Sequence, residues 1–281
     1  MNEHFFIYDN EYFLTAQPVI NISNRSFKYG DGLFETMRME DGRILNSEFH
    51  FERFFDGLNI LQFDIPDFLT PFFFTQKIDQ LFKKNKQDTS ARVRLMAFRG
   101  DSGILKATNN YPHYIIEIAP LEDKMELNKN GLVIDVFPDA RKSCDRFSNV
   151  KSNNYLHSVM AGLFAKKNNL DDAILLNTSD RVCETAIANL FIIKDSNIYT
   201  PPLSEGCVAG TMRRWMLEKF SQRKYSVAEK NILIEDVLDA DEVFLTNAIQ
   251  HLRWVKHFRG KDFGNEKAIE LYKNISENVG T

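Results

Sequence analysis

The sequence predicts an α+β protein because helical and strand-like patterns alternate along its first half. Apolar side chains recur at helical spacing over residues 46–62 and 67–85. Residues 92–98 and 114–118 instead alternate or run apolar, which is typical of strands. At 281 residues with 43% apolar content, the chain is long enough to bury a substantial core.

A polar stretch divides the chain into two predicted lobes. Residues 121–131, which read LEDKMELNKNG, follow Pro120 and precede the apolar run at 132–137. Stretches of this kind favour hinges over packed elements. We therefore expect an N-terminal lobe over residues 1–120 and a C-terminal lobe over residues 121–281, the latter carrying the lysine discussed below.

Further elements are predicted from the same patterns in the C-terminal lobe. Three helices are expected: one over residues 154–167, one that begins near Gly210, and one over residues 266–277. The expected strands cover residues 173–176, 189–193 and 242–246, with a hairpin turn at Asp195, Ser196 and Asn197.

Several function classes find no support in the sequence. The net charge of −4 argues against a broad nucleic-acid surface, and no apolar run is long enough to span a membrane. The three cysteines are scattered and no metal-ligand spacing occurs, so we expect reduced thiols and no metal. The N-terminus lacks the features of a signal peptide, so a cytoplasmic protein is expected.

Three features point together to one cofactor. Lys151, in SNVKSNNYL, resembles a surface lysine when it is taken alone. Glu184 lies in ETAIANLF, where a buried strand is expected, and Thr211 and Met212 open a predicted helix. Pyridoxal 5'-phosphate (PLP) needs a lysine for a Schiff base, a group beside its ring nitrogen, and donors for its phosphate. A helix N-terminus supplies such donors through its backbone.

The sequence resembles the class IV, fold-type IV PLP enzymes over nearly its whole length. This family includes branched-chain and D-amino-acid aminotransferases and 4-amino-4-deoxychorismate lyases. The matching segments, in chain order, are FKYGDGLFETMR (27–38), HFERF (50–54), RVRLMAFRG (92–100), VKSNNYL (150–156), ETAIANLF (184–191), IYTPPLSEGCVAGTMR (198–213) and EVFLTNA (242–248).

The resemblance implies a two-lobed fold of this type and a role for individual residues. Lys151 would carry the cofactor and act as the catalytic base, and Glu184 would meet the pyridine nitrogen. The phosphate would be bound by Arg53, by the backbone of Thr211 and Met212, and by the loop Thr246, Asn247 and Ala248. Tyr29 and Phe34 would line the substrate side. Apart from the resemblance, Arg92, Arg94 and Arg99 are candidates for binding the substrate carboxylate. A homodimer acting on a small amino substrate is expected by the same analogy.

The resemblance leaves the reaction open. Thr36 is either a plain strand residue or, by its match to the lyases, a proton donor to the leaving group. Ala248 replaces a threonine common in the aminotransferases. The pair Asn247 and Ala248, the segment GDGLFET (30–36) and the RG of FRGDSG (98–103) resemble lyase sequences. They favour a 4-amino-4-deoxychorismate lyase, which supplies p-aminobenzoate for folate synthesis. The alternatives are an aminotransferase for branched-chain or D-amino acids and a non-catalytic PLP-binding homologue.

Overall fold

The chain folds into two compact units, each with its own sheet. A computed structural model describes residues 4–87, 89–101, 103–104, 110–121, 125–221 and 225–279. The first unit comprises residues 4–121 and Val150–Asn154, and the second comprises Met125–Asn149 and Tyr155–Val279. Three residues of the predicted hinge, Glu122, Asp123 and Lys124, lie outside the described residues.

The first unit contains an antiparallel sheet of six strands, in the order β2-β1-β6-β5-β3-β4. Its strands are β1 (Phe5–Tyr8), β2 (Glu11–Leu14), β3 (Gly32–Glu40), β4 (Arg43–Ile44), β5 (Ser90–Phe98) and β6 (His113–Pro120). Its helices are α1 (Arg25–Tyr29), α2 (Ser47–Ile60) and α3 (Pro71–Lys84).

One face of this sheet is packed by α2 and α3. Buried Phe54 of α2 and Phe74 of α3 meet edge to face, with ring centroids 5.5 Å apart, in the same core as Met37 of β3. The second helix begins later than the pattern of 67–85 predicts. Thr70 accepts a hydrogen bond from the Phe73 N–H, and Pro71 occupies the first helical position, where its missing N–H has no cost.

The second unit contains a mixed sheet of nine strands. They are β7 (Leu132–Lys142), β8 (Asp172–Asn177), β9 (Val182–Thr185), β10 (Asn189–Lys194), β11 (Asn197–Thr200), β12 (Val227–Glu229), β13 (Glu242–Asn247), β14 (His251–Phe258) and β15 (Lys261–Asp262). Their order is β12-β11-β10-β13-β14-β7-β8-β9, with β15 beside β14. The helices are α4 (Leu156–Lys167), α5 (Thr211–Ser221), α6 (Ile234–Asp239) and α7 (Glu266–Asn278).

The Lys151 segment lies in the first unit, which differs from its expected place in the C-terminal lobe. The Phe34 N–H donates to the Lys151 carbonyl and the Asn153 N–H donates to the Gly32 carbonyl, both at 2.9 Å. These bonds attach the segment to β3. The close approach depends on glycine, because a Cβ at Gly32 would lie 2.7 Å from Asn153 Nδ2.

A buried ion pair joins β3 to α2. Glu35 shares a face of β3 with core residues, and its carboxylate accepts two hydrogen bonds from Arg53, from Nε at 2.7 Å and from Nη2 at 2.6 Å. The His50 Nδ1 donates a third, at 2.6 Å. Burial by itself would raise the pKa of Glu35, but Arg53 and His50 outweigh it and lower the pKa to about 2.

We expect Glu35→Gln to destabilise the protein by about 3–5 kcal/mol at neutral pH, because it removes the buried carboxylate that pairs with Arg53. Because the pKa of Glu35 is lower in the folded than in the unfolded protein, its ionised carboxylate stabilises the fold at pH values above the ordinary carboxyl pKa of 4.5. This stabilisation is lost as the pH falls toward 2. The free energy of urea unfolding should therefore drop by about 3 kcal/mol more in the unsubstituted protein than in Glu35→Gln over that range.

Glu117→Gln is the control, because Glu117 is an exposed carboxylate on β6 of the same sheet. Its unfolding free energy should stay within about 0.5 kcal/mol of the unsubstituted protein at each pH. Parallel pH curves for Glu35→Gln and the unsubstituted protein would contradict the role given to Glu35.

Candidate active site

Lys151 lies beside an aromatic ring of β3. Its Nζ is 4.6 Å from the centroid of the Phe34 ring, and the Arg94 guanidinium carbon is 4.2 Å from the same centroid. Phe34 is buried, so the ring is a fixed surface between two cationic side chains. The structure thus brings together three residues that the sequence predicts at the site.

Thr36 and Arg94 belong to the same face of the sheet as Phe34. Thr36 is two residues beyond Phe34 on β3 and is the direct cross-strand partner of Arg94 on β5. Thr36 is half-buried, so its hydroxyl is not sealed in the core. Tyr29 ends α1, and the following Gly30 packs against Asn154, next to the Lys151 segment.

Arg53 is oriented by Glu35. The carboxylate accepts from Nε and Nη2 of the guanidinium, which fixes the plane of the Arg53 head group. His50 is the other residue that donates to Glu35. Burial lowers the pKa of His50 more than Glu35 raises it, so His50 is neutral at pH 7.

Arg99 differs from its expected role, because its guanidinium is used within the fold. It is buried and donates to Asp31 Oδ1 at 2.6 Å, to Asn110 Oδ1 at 3.2 Å and to the Gln62 carbonyl at 3.0 Å. It also donates to the Leu61 carbonyl. These bonds tie the end of α2 to the start of β3, and they leave Arg94 as the better candidate for a substrate carboxylate.

Glu184 is a buried carboxylate of β9 in the second unit. One of its oxygens accepts from Lys142 Nζ, and the other accepts from the Val208 N–H at 3.0 Å. Burial by itself would lower the pKa of Lys142, but Glu184 outweighs it and the pKa is raised, so Lys142 is a cation at neutral pH.

The loop before α5 is fixed by asparagine side chains. The Asn149 amide donates to the Cys207 carbonyl at 2.6 Å, and the Asn189 amide donates to the Val208 carbonyl at 3.0 Å. A Cβ at Gly210 would lie 1.8 Å from Asn189 Oδ1, so only glycine fits there. The loop therefore delivers the chain to Thr211, where α5 begins, in one defined position.

The loop after β13 closes on itself. Asn247 Oδ1 accepts from the N–H groups of Ile249 at 3.0 Å and Gln250 at 2.8 Å, so the Asn247 carbonyl group is used by its own turn. Any contact of Asn247 and Ala248 with a cofactor would therefore come mainly from their backbone.

The second unit fits a phosphate ester. Thr246, at the end of β13, is buried and its hydroxyl has no hydrogen-bond partner among the residues that the structure describes. α5 packs against β13, and the first turn of an α-helix presents backbone N–H groups without intrahelical acceptors. A buried hydroxyl and a helix N-terminus are suited to phosphate oxygens, so the residues present fit PLP.

Two residues of the site are absent from the sequence-based prediction. The strand pattern of β3 gives a signal for Glu35, because alternation places it on the core face and requires buried partners, which His50 and Arg53 provide. Lys142 has no such signal. It meets Glu184 through the packing of β7, β8 and β9, and the two lie 42 positions apart in the chain.

Membrane-spanning helices and metal-binding clusters are both absent from the part of the chain that the structure describes. None of its helices is long and apolar enough to cross a membrane. No group of three or more His, Cys, Asp or Glu side chains in the same described ranges is placed to hold a metal ion.

Comparison with known proteins identifies the family. The family described as amino-transferase class IV matches residues 32–258. The chain is 30% identical to an aminodeoxychorismate lyase of Vibrio harveyi, over 83% of this chain and 85% of the relative. It is 28% identical to a putative branched-chain-amino-acid aminotransferase of Methanocaldococcus jannaschii, over 96% of this chain and 94% of the relative.

Solved structures share the fold. A branched-chain aminotransferase of Escherichia coli superposes with a TM-score of 0.88 at 20% identity, over 99% of this chain and 95% of that chain. A putative 4-amino-4-deoxychorismate lyase of Legionella pneumophila gives a TM-score of 0.84 at 26% identity, over 94% of this chain and 96% of that chain. The predicted fold is thereby confirmed. The chain belongs to the class IV aminotransferase family and is a PLP-dependent lyase or aminotransferase.

Proposed function

We propose that this enzyme is a lyase that converts 4-amino-4-deoxychorismate into p-aminobenzoate and pyruvate. The observation that carries the proposal is the Thr36 hydroxyl, on the same face of β3 as the Phe34 ring against which Lys151 Nζ lies. A proton acceptor and a proton donor thus flank one aromatic surface. The similarity to lyases of Vibrio harveyi and Bacillus subtilis supports the same reaction.

The reaction needs one base and one acid from the protein. PLP, when bound, supplies an electron sink for the charge that develops when a proton leaves the substrate carbon bearing the amino group. Lys151 Nζ takes that proton, since a lysine freed from the cofactor is a suitable general base. Thr36 Oγ1 donates a proton to the departing enolpyruvate as its carbon–oxygen bond breaks, and loss of this group makes the ring aromatic.

Arg94 provides the charge that this substrate requires. Aminodeoxychorismate carries two carboxylates, and the Arg94 guanidinium is the direct cross-strand neighbour of Thr36. Arg94 is half-buried against Phe34, so its charge is less screened than that of an exposed arginine. We assign Arg94 to a substrate carboxylate and Phe34 and Tyr29 to the walls beside it.

Glu184, Arg53 and α5 are assigned to the cofactor. We propose that Glu184 faces the ring nitrogen, since it is the buried carboxylate of the second unit whose segment matches the family at that position. Arg53, the backbone of Thr211 and Met212, and the turn at Asn247 and Ala248 are proposed to hold the phosphate.

An aminotransferase is the second candidate. The similarity to the branched-chain aminotransferases supports it, and the same Lys151 would then return the proton to the cofactor in place of an elimination. A PLP-binding homologue without catalysis would bind the cofactor through Lys151 and turn over neither type of substrate.

We expect the enzyme to form p-aminobenzoate and pyruvate from aminodeoxychorismate without any keto acid. Thr36→Val should lower kcat about a hundredfold, because it removes the proposed acid but keeps the side-chain shape. Product formation followed by chromatography gives both results. Turnover restricted to L-leucine, L-glutamate or D-alanine with a keto acceptor would contradict the lyase and establish the aminotransferase.

Two variants serve as controls. Thr75→Val removes a hydroxyl on α3 that donates a solvent-exposed hydrogen bond to the Pro71 carbonyl. This variant should leave kcat unchanged. Lys151→Ala should lose the absorbance band of the covalently bound cofactor. Retention of this band would overturn the assignment of Lys151.

The start of α5 gives a separate test of the phosphate site. Gly210→Ala would place a methyl group 1.8 Å from Asn189 Oδ1, so either Asn189, which fixes the loop before α5, or the first turn of α5 must shift. We expect the Kd for PLP, measured by fluorescence titration, to rise at least about tenfold, since this is about 1.4 kcal/mol of lost phosphate binding. Gly264→Ala is the control, because its added methyl group meets its nearest atom at 4.0 Å. This variant should change the Kd for PLP less than twofold.

We also propose that the enzyme is a homodimer. α4 presents a stripe of apolar side chains at helical spacing, and each is between 44% and 64% exposed in the single chain: Leu156, Val159, Met160 and Leu163. Exposed stripes of this kind are typical of interaction surfaces. A second copy of the chain is the partner that the family resemblance implies.

Light scattering during gel filtration should give twice the chain mass for the unsubstituted protein. Leu163→Glu should shift the mass to that of the monomer, because it places a charge in the apolar stripe. Lys166→Glu changes an exposed charge near the end of the same helix and should remain dimeric. A monomeric unsubstituted protein would contradict the proposal.

A further inference from the structure

Lys142 and Glu184 approach each other across a strand. Lys142 is the last residue of β7, Glu184 lies on β9, and β8 runs between them. The registers are fixed, with Lys142 opposite Asn177 and Glu184 opposite Leu175 on β8. Two long side chains can therefore meet over the central strand, and Lys142 Nζ donates to Glu184 Oε1.

The second oxygen of Glu184 is held from another direction. Oε2 accepts from the Val208 N–H at 3.0 Å, and the loop that carries Val208 is fixed by Asn149 and Asn189. An ionised carboxylate has about four lone-pair positions, so two donors leave about two for a ligand. Lys142 and Val208 together fix the plane of the carboxylate while leaving it able to accept.

The ion pair lies among buried thiols and two further charged groups: Asp172 interacts electrostatically with Glu184, and Arg213 interacts with Cys207. Cys183 and Cys207 lie close to the pair, and burial raises the pKa of each thiol, to about 12 for Cys207. Lys142 is only 14% exposed and Glu184 only 6%, so water screens the pair weakly. Lys142 is therefore the cation that donates to Glu184 within this weakly screened site.

The protonation of Glu184 has a chemical consequence at the ring nitrogen. An ionised carboxylate accepts a hydrogen bond from a protonated pyridine nitrogen, whereas a neutral carboxyl group donates one to an unprotonated nitrogen. Only the first arrangement leaves the positive charge on the ring. A buried carboxyl without a cation favours the second arrangement, because desolvation disfavours the charged form.

We propose that Lys142 is a positioning residue that keeps Glu184 ionised and oriented to accept a hydrogen bond from the protonated ring nitrogen of PLP. Lys142 acts through Glu184 and does not touch the reacting atoms. The inference rests on the proposed role of Glu184 and adds to it the residue that makes the role possible in a buried site.

The test uses holoenzyme reconstituted with PLP carrying nitrogen-15 in its ring, because the chemical shift of this nitrogen reports its protonation directly. Lys142→Gln is expected to move the shift toward that of the unprotonated ring. It should also lower kcat at least about tenfold while KM stays within about threefold, which corresponds to loss of one charge-assisted hydrogen bond. Lys142→Arg should restore both the chemical shift and most of kcat, since it retains the cation.

Arg181→Gln is the matched control. Arg181 is paired with Glu205, which is a buried carboxylate of the same unit and also accepts from the Asn177 amide at 2.6 Å. This variant removes a cation from a buried carboxylate that has no proposed contact with PLP. It is expected to lower the unfolding free energy but to leave the nitrogen-15 shift and kcat unchanged.

Glu184→Gln separates the two levels of the inference. If it leaves the nitrogen-15 shift unchanged, the proposed role of Glu184 is overturned, and that of Lys142 with it. If Glu184→Gln moves the shift but Lys142→Gln does not, Glu184 keeps its role and the proposal for Lys142 alone is overturned. Lys142→Met, which keeps the side-chain length, decides the same point if Lys142→Gln does not fold.

Discussion

The pairing of the Lys151 segment with β3 is the constraint on which the proposed chemistry depends. The Phe34 N–H donates to the Lys151 carbonyl, and the Asn153 N–H donates to the Gly32 carbonyl. These two main-chain hydrogen bonds make the segment a short extension of the first sheet. A side chain at Gly32 would prevent this approach. The lysine is therefore carried by a sheet edge, and its amino group lies against a buried ring with little freedom to move.

Burial of carboxylates creates the same electrostatic problem in both units. Glu35 in the first unit and Glu184 in the second lie where an isolated charge would be strongly destabilising. The first is neutralised by Arg53 and the second by Lys142. In the first pair the carboxylate orients Arg53, and in the second the cation is proposed to orient Glu184; Arg53 and Glu184 are the members with a proposed role at the cofactor. Stability and preorganisation thus depend on the same contacts.

The chain shares its scaffold with enzymes of two reaction types, so the fold does not choose between them. We propose that side chains on the open face of β3 and β5 make the choice. Elimination needs an acid for the leaving group, the role proposed for Thr36, and a charge for a second carboxylate, the role proposed for Arg94. Transamination needs neither, because its proton travels between the substrate and the cofactor.

Local periodicity indicated the longer helices and several of the strands, because a packed face leaves a repeating apolar pattern, as in α2 and β5. Short ordered motifs were enough to indicate Lys151, Glu184 and the family. The tertiary structure alone decided which unit holds Lys151, that Arg99 serves the fold, and that Lys142 meets Glu184. These facts depend on strand order and on hydrogen bonds between distant segments, and such long-range contacts leave no periodic signal in a single sequence.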